Sequence, residues 1–196
     1  MDIRLRIEST FLNWLCNNFD VKRPASLESR LPPMHVKPDL VYETDPLTLI
    51  ELKCDNWPAN EHRSQNCWFK LMVSQDKGYI NAAERYGYDV AWILILYRTV
   101  KDVRTIFEEM GTFTIEDCLD VEIYVLPQGV EQVATNYANP KGGYYNVSLP
   151  RIQEYYGLNK MHFNGKIIFY LAQTYEGKDL NSPFIKQLHY FLVKRG

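Results

Sequence analysis

The chain has no apolar run long enough to cross a bilayer, which argues against a membrane partner. It also lacks a leader-like start. MDIRLRIEST places charges on alternate positions where a signal peptide needs an apolar stretch, so an intracellular, cytoplasmic protein is expected. Cysteine is scarce: Cys16, Cys54, Cys67 and Cys118 form no C-x-x-C pair and have no histidine at ligand spacing. That pattern argues against a zinc or iron–sulfur centre and leaves plain buried or half-buried thiols. Repeats, low-complexity tracts and linkers are missing too, so one domain spanning residues 1–196 is expected, and 46% apolar residues suffice to fill its core.

Net positive charge is absent as well, the chain summing to −2. The distribution is uneven, however. Residues 1–126 hold 14 Lys and Arg against 20 Asp and Glu, whereas residues 127–196 hold 8 against 4. Gripping phosphates requires local rather than global positive charge, and an acidic metal site elsewhere would lower the total.

The hydrophobic pattern supplies the elements. Ile7, Phe11, Leu12, Leu15 and Phe19 recur at helical spacing over residues 3–19. Asp39 to Tyr42 and Thr48 to Lys53 are β-favouring runs joined by ETDP, a turn signal, and so predict an antiparallel hairpin. From Glu61 to Tyr86, Trp68, Leu71, Met72, Tyr79, Ala82, Ala83 and Tyr86 predict one long helix, stopped by Gly87. VAWILILYR (90–98) is continuous enough to be a central strand covered on both faces. VEIYVL (121–126) and GKIIFYLA (165–172) read as further strands, and SPFIKQLHYFLVKRG as a closing helix. The fold class expected is α/β in the α+β sense, a central mixed sheet flanked by helices.

Within the hairpin, Asp39, Glu51 and Lys53 must share one neighbourhood at a cost in repulsion and desolvation. Paired carboxylates on neighbouring strands make a hard-oxygen site suited to Mg²⁺, with Mn²⁺ as a substitute, and a cation would relieve the repulsion. Side chains alternate along a strand, so Glu51 and Lys53 share a face while Leu52 turns to the core and can still offer its backbone carbonyl to a metal. An ammonium beside that metal could stabilise a phosphorane-like transition state or orient the attacking water.

Pro38-Asp39 followed by Glu51-Leu52-Lys53 resembles the PD-(D/E)xK nuclease motif, and the order helix, hairpin, helix, strand over residues 1–97 is similar to that superfamily's core. The resemblance implies a metal-dependent nuclease with a restriction-endonuclease-like core, Asp39 and Glu51 as metal ligands and Lys53 as the catalytic lysine. In many members a glutamate of the first helix completes the metal site; Glu8 is the natural candidate here and Glu28 its rival. Gln75 and Tyr79 resemble the Q-x-x-x-Y motif of RecB-like nucleases. On this reading Gln75 shares a helix face with Leu71, Met72 and Tyr79.

Contacts to DNA are expected from two segments. DNWPANEHRSQNCWFK offers His62, Arg63, Gln65, Asn66 and Lys70 alongside Trp57 and Trp68, and residues 139–157 form a basic, aromatic-rich loop with Lys141, Tyr144 and Arg151. Compactness and a dedicated region after the core point to a type II restriction endonuclease acting on double-stranded DNA as a homodimer, without an organic cofactor. The alternatives are a Holliday-junction or repair nuclease, a viral RNA endonuclease, and a binding protein on a degenerate nuclease scaffold.

Overall fold

The apolar run around Trp92 becomes the middle strand of the molecule, β5 (Asp89–Thr99). Its residues from Val90 to Tyr97 are all buried, as a strand covered on both faces requires. In this computed structural model, residues 2–27, 31, 34, 36–57, 68–127, 133–137 and 143–195 are described. β5 runs parallel to β3 (Thr48–Asn56) on one side and antiparallel to β6 (Cys118–Pro127) on the other. Beyond β3 lie β2 (Leu40–Tyr42) and the short β1 (Val21–Lys22), both antiparallel to their neighbours. Beyond β6, β10 (Ile167–Tyr175) runs parallel to it and carries β9 (Tyr156–His162) and β11 (Lys178–Asp179) as antiparallel partners. The result is the expected mixed sheet, eight strands in all.

Helices cover both faces. α1 (Ile3–Asn18) begins where the Asp2 carboxylate caps the Arg4 amide at 2.9 Å, and it buries Ile7, Phe11, Leu12 and Leu15. Its Phe11 ring meets Tyr97 at 5.3 Å on one face of the sheet. α5 (Pro183–Arg195) reaches the same layer, with Phe191 stacked edgewise on Phe19 at 5.0 Å, and Phe19 in turn on Phe169 of β10. α2 (Val73–Tyr86) packs on the opposite face, where Tyr79 meets Trp92 edge-on at 6.0 Å. Gly87 ends α2 at φ 69°, the left-handed conformation favourable to glycine, and its amide reaches Ala83 O. α3 (Val103–Met110) and α4 (Leu149–Tyr155) are shorter. Each large side chain buried in these layers contributes about 1.5–3 kcal/mol, so the two faces together fix β3 and its charges in place. Among the described residues no helix is long and apolar enough to cross a membrane.

Two expectations are corrected. The long helix predicted from Glu61 is shorter: residues 58–67 lie outside the described part, Trp68–Met72 is a strand, β4, and the helix starts at Val73. Within β4, Phe69 and Leu71 are buried while Lys70 and Met72 are exposed, a period of two that the helical reading of Trp68, Leu71 and Met72 overlooked. Leu71 and Met72 therefore share no helix face with Gln75. The second correction concerns residues 139–157, predicted as a loop. Tyr144–Ser148 is a strand, β8, antiparallel to both β4 and β7 (Ala134–Tyr137), and α4 and the start of β9 follow it. These three strands make a second small sheet.

Candidate active site

The site begins where β2 runs out. Leu40 pairs with Ile50, and Asp39 N still donates to Ile50 O at 3.0 Å, but β2 extends no further along β3. The next amide on that side of β3, Leu52 N, would be orphaned. Asp39 supplies the partner through its carboxylate, Oδ2 accepting from Leu52 N at 2.9 Å. Its other oxygen takes no hydrogen bond among the described residues. Backbone groups alternate along a strand, so the Leu52 carbonyl faces the same gap as the Leu52 amide and Asp39.

Glu51 lies on the α2 face of β3, directly beside Trp92, and is only 2% exposed. Three donors surround it. Lys53 Nζ lies 2.5 Å from Oε1, Gln75 Nε2 donates to the same oxygen at 3.0 Å, and the Tyr79 hydroxyl reaches Oε2 at 2.5 Å. Gln75 and Tyr79 are four apart on α2, so one helical stripe delivers both. Two local features aim that stripe. The first amide of α2, Val73 N, finds its acceptor in Gly143 O at 2.9 Å, and Gly78 lets the helix approach Val36, whose Cγ1 would sit 2.3 Å from any Cβ there. Close approach also brings Tyr79 Oη to 3.0 Å from Lys37 O.

Burial, with the Asp39 charge added, pushes the Glu51 carboxyl up to about 7, although Lys53 and the hydrogen bonds from Lys53 and Tyr79 pull the other way. Lys53 is drawn down by burial but more strongly up by Glu51, Asp39 and Glu8, so its ammonium holds its proton more firmly than usual. Tyr79 has one hydrogen and two acceptors, Glu51 and Lys37 O. When Glu51 is protonated it can donate to Tyr79 Oη, which then turns its own hydrogen to Lys37 O, and both protonation states stay satisfied.

Glu8 stands on α1 beside Lys53 and lines one cavity with it, together with Arg4, Ile7, Cys54, Asp55, Phe69, Lys70 and Tyr97. Burial and then Asp39 raise the Glu8 carboxyl, which places Glu8, Asp39 and Glu51 in one electrostatic cluster around Lys53. Asp55 continues the alternation of Glu51 and Lys53 along β3, and that spacing was a readable signal for a third charged residue on this face. Arg4 had no such signal, because its place depends on how α1 docks.

The remaining expected residues divide. Lys70, on β4, is brought to the cavity. Tyr144, on β8, is opposite Met72 and exposed on the side of the small sheet that carries Lys70. Arg151, on α4, is exposed and ion-paired with Glu154 at 3.5 Å, and among the described residues no hydrogen bond or ion pair joins it to Glu8, Asp39 or Glu51. Glu28, His62, Arg63, Gln65, Asn66 and Lys141 lie outside the described residues.

The donor set fits a hard divalent cation. Asp39, Glu51 and the Leu52 carbonyl are all oxygen donors, and the upward displacement of Glu51, caused first by burial and then by the Asp39 charge, marks a buried negative charge that a nearby cation would favour. Among the described residues no three His, Cys, Asp or Glu side chains close on a single point as a complete cage. Both Glu51 oxygens already accept from protein donors. Mg²⁺ suits such a partial set, since it commonly takes one or two carboxylates and keeps several waters.

No family model matches the chain, and no curated protein matches it. Among solved structures it is similar to the Holliday junction resolvase Hjc of Archaeoglobus fulgidus, an archaeal hyperthermophile, at 12% identity and a TM-score of 0.42, over 78% of this chain and 89% of that one. A likeness at that score lends no weight to either fold or function, which leaves the side chains to carry the chemistry.

Proposed function

We propose that the chain is a divalent-metal-dependent nuclease that hydrolyses phosphodiester bonds in DNA, with residues 1–196 acting as one domain. The observation that carries the reading is the convergence on Lys53 of Glu51, Asp39 and Glu8, with Gln75 and Tyr79 holding Glu51 from the opposite helix. Asp39, Glu51 and the Leu52 carbonyl would hold Mg²⁺ or Mn²⁺, which supplies charge neutralisation at the phosphate and an activated water. Lys53 would then stabilise the developing negative charge or orient the attacking water, Glu8 would complete the polar shell, and Gln75 and Tyr79 would fix the Glu51 carboxylate.

Target-specific cleavage of duplex DNA by a homodimer, the restriction-type reading, adds a requirement for recognition elements; Lys70 and Tyr144 on the small sheet are the described candidates. Cleavage of branched DNA uses the same catalytic residues. The catalytic residues do not choose between the two, and a four-way junction belongs in the substrate panel beside plasmid and phage DNA. The test incubates wild type, Lys53→Ala and Asp39→Asn with these substrates and with RNA, in Mg²⁺ and then Mn²⁺. Cleavage by wild type alone is expected, with losses of about 10²-fold or more in each variant. Discrete duplex fragments would assign the restriction-type reading, and junction-only cleavage the resolvase-type one. A wild type that cuts nothing would overturn the enzyme reading in favour of a binding scaffold.

A further inference from the structure

The cavity beside Lys53 has two walls and an apolar floor. One wall is the first two turns of α1, where Arg4 precedes Glu8 by four residues and so shares its stripe. The other is β4, which presents Lys70 from its exposed side. Ile7, Phe69 and Tyr97 form the floor, all buried. Many of the molecule's other cations are committed: Lys53 to Glu51, Lys22 to Glu43, Arg98 to Asp120, Lys101 to Glu109 and Lys166 to Glu116. Arg4 and Lys70 differ, for neither side chain makes a hydrogen bond or ion pair among the described residues, although both line the same groove.

Resting on the nuclease reading, we infer that Arg4 and Lys70 form a two-sided clamp for a backbone phosphate next to the one attacked, one cation reaching in from each wall. Asp55 of β3 lines the same cavity, its carboxylate accepting from Asn56 N at 3.0 Å. Its half-buried carboxylate is within electrostatic reach of both cations, which favours their extension over the groove they line. The apolar floor lowers the local dielectric and focuses the cations on whatever enters. Arg4 offers a planar fork matched to two phosphate oxygens, and Lys70 a point charge. A polyanionic strand laid over Lys53 would meet both, and these are positioning residues, since the reacting atoms stand at Asp39, Glu51 and Lys53.

The experiment uses the full chain with Arg4→Gln, Lys70→Gln, the double variant, Arg4→Lys, and Lys186→Gln as an exposed control on α5. Binding of fluorescein-labelled duplex and four-way junction DNA is followed by anisotropy across a salt series in Ca²⁺, and kinetics on whichever substrate wild type cleaves. Each single Gln variant should lose about 0.9 from the slope of log affinity against log salt, and the double variant about twice that. KM should rise about tenfold per cation with kcat within about twofold, while Arg4→Lys keeps most of the slope. Unfolding curves should match wild type. If wild type binds and cleaves while the Gln variants keep its slope and KM, or Lys186→Gln changes them equally, the clamp is refuted and the nuclease reading stands. A wild type that binds neither DNA at low salt would remove both.

Discussion

Glu51→Gln should make the metal-free protein more stable above neutral pH, and the size of the effect follows from its surroundings. The Glu51 carboxyl is displaced from 4.5 to about 7 by burial and by Asp39. A carboxyl that holds its proton more tightly when folded favours folding below about pH 4.5, and that contribution is lost as pH climbs through about 7. The span, at about 1.4 kcal/mol per pH unit, comes to about 3.5 kcal/mol in all. Gln fits the same contacts. Its oxygen accepts from Lys53 and Gln75, and its amide donates to Tyr79 Oη, whose hydrogen turns to Lys37 O. Urea unfolding in chelator at a series of pH values measures the difference. Wild type should fall relative to the Gln variant by about 2.5 kcal/mol between pH 5 and 8, with unchanged m-values. Mg²⁺ at a hundredfold its Kd should then restore about 2.7 kcal/mol to wild type only. Parallel pH curves for the two proteins would refute the reasoning, because they would mean that Glu51 carries no buried charge penalty.

Tyr79→Phe keeps the ring against Trp92 but removes the hydroxyl shared by Glu51 and Lys37 O. It should cost about 1–3 kcal/mol in urea unfolding, and the pH midpoint of Mg²⁺ binding, followed by calorimetry, should move upward as Glu51 loses a donor. Gly87→Ala forces a side chain into φ 69° at a place where no atom lies within 4 Å of its Cβ. Thermal unfolding should show a loss of about 1–2 kcal/mol from backbone conformation alone, and an undiminished melting temperature would count against the left-handed cap.

Periodicity made much of the frame legible. The stripe from Ile7 to Phe19, the buried run around Trp92 and the ETDP turn gave α1, β5 and the β2–β3 hairpin near their observed bounds. The Q-x-x-x-Y spacing was informative for a physical reason, since residues four apart on one helix reach the two oxygens of one carboxylate. The hidden part was non-local. WFKLM satisfies a helical spacing and an alternation equally well, and only β8, paired through Trp68 with Ser148, decides between them. The clustering of Tyr144, Tyr145 and Asn146 about a Gly-Gly pair looked like a loop for the same reason, as its partner strand is distant in sequence. Asp55 was readable from the alternation after Glu51 and Lys53, whereas Arg4 became visible only once α1 was docked beside Lys70.

The choice between a nuclease and a non-catalytic scaffold of the same shape turns on the effect of the charges on stability. A surface Glu–Lys pair at strand spacing would be worth little, and either residue could be lost without consequence. Here Glu51 is buried, feels the Asp39 charge, and draws on Lys53, Gln75 and Tyr79 for compensation, yet its carboxyl still sits near neutrality. A scaffold that only bound a partner would be better served by an amide at position 51, which makes the same hydrogen bonds without the penalty. An oxygen-rich gap with a held ammonium beside it gains from its charges only when a cation and an anionic substrate arrive together. If Mg²⁺ leaves the pH dependence of wild type unchanged while wild type still binds DNA, that gain is absent and the scaffold reading takes over.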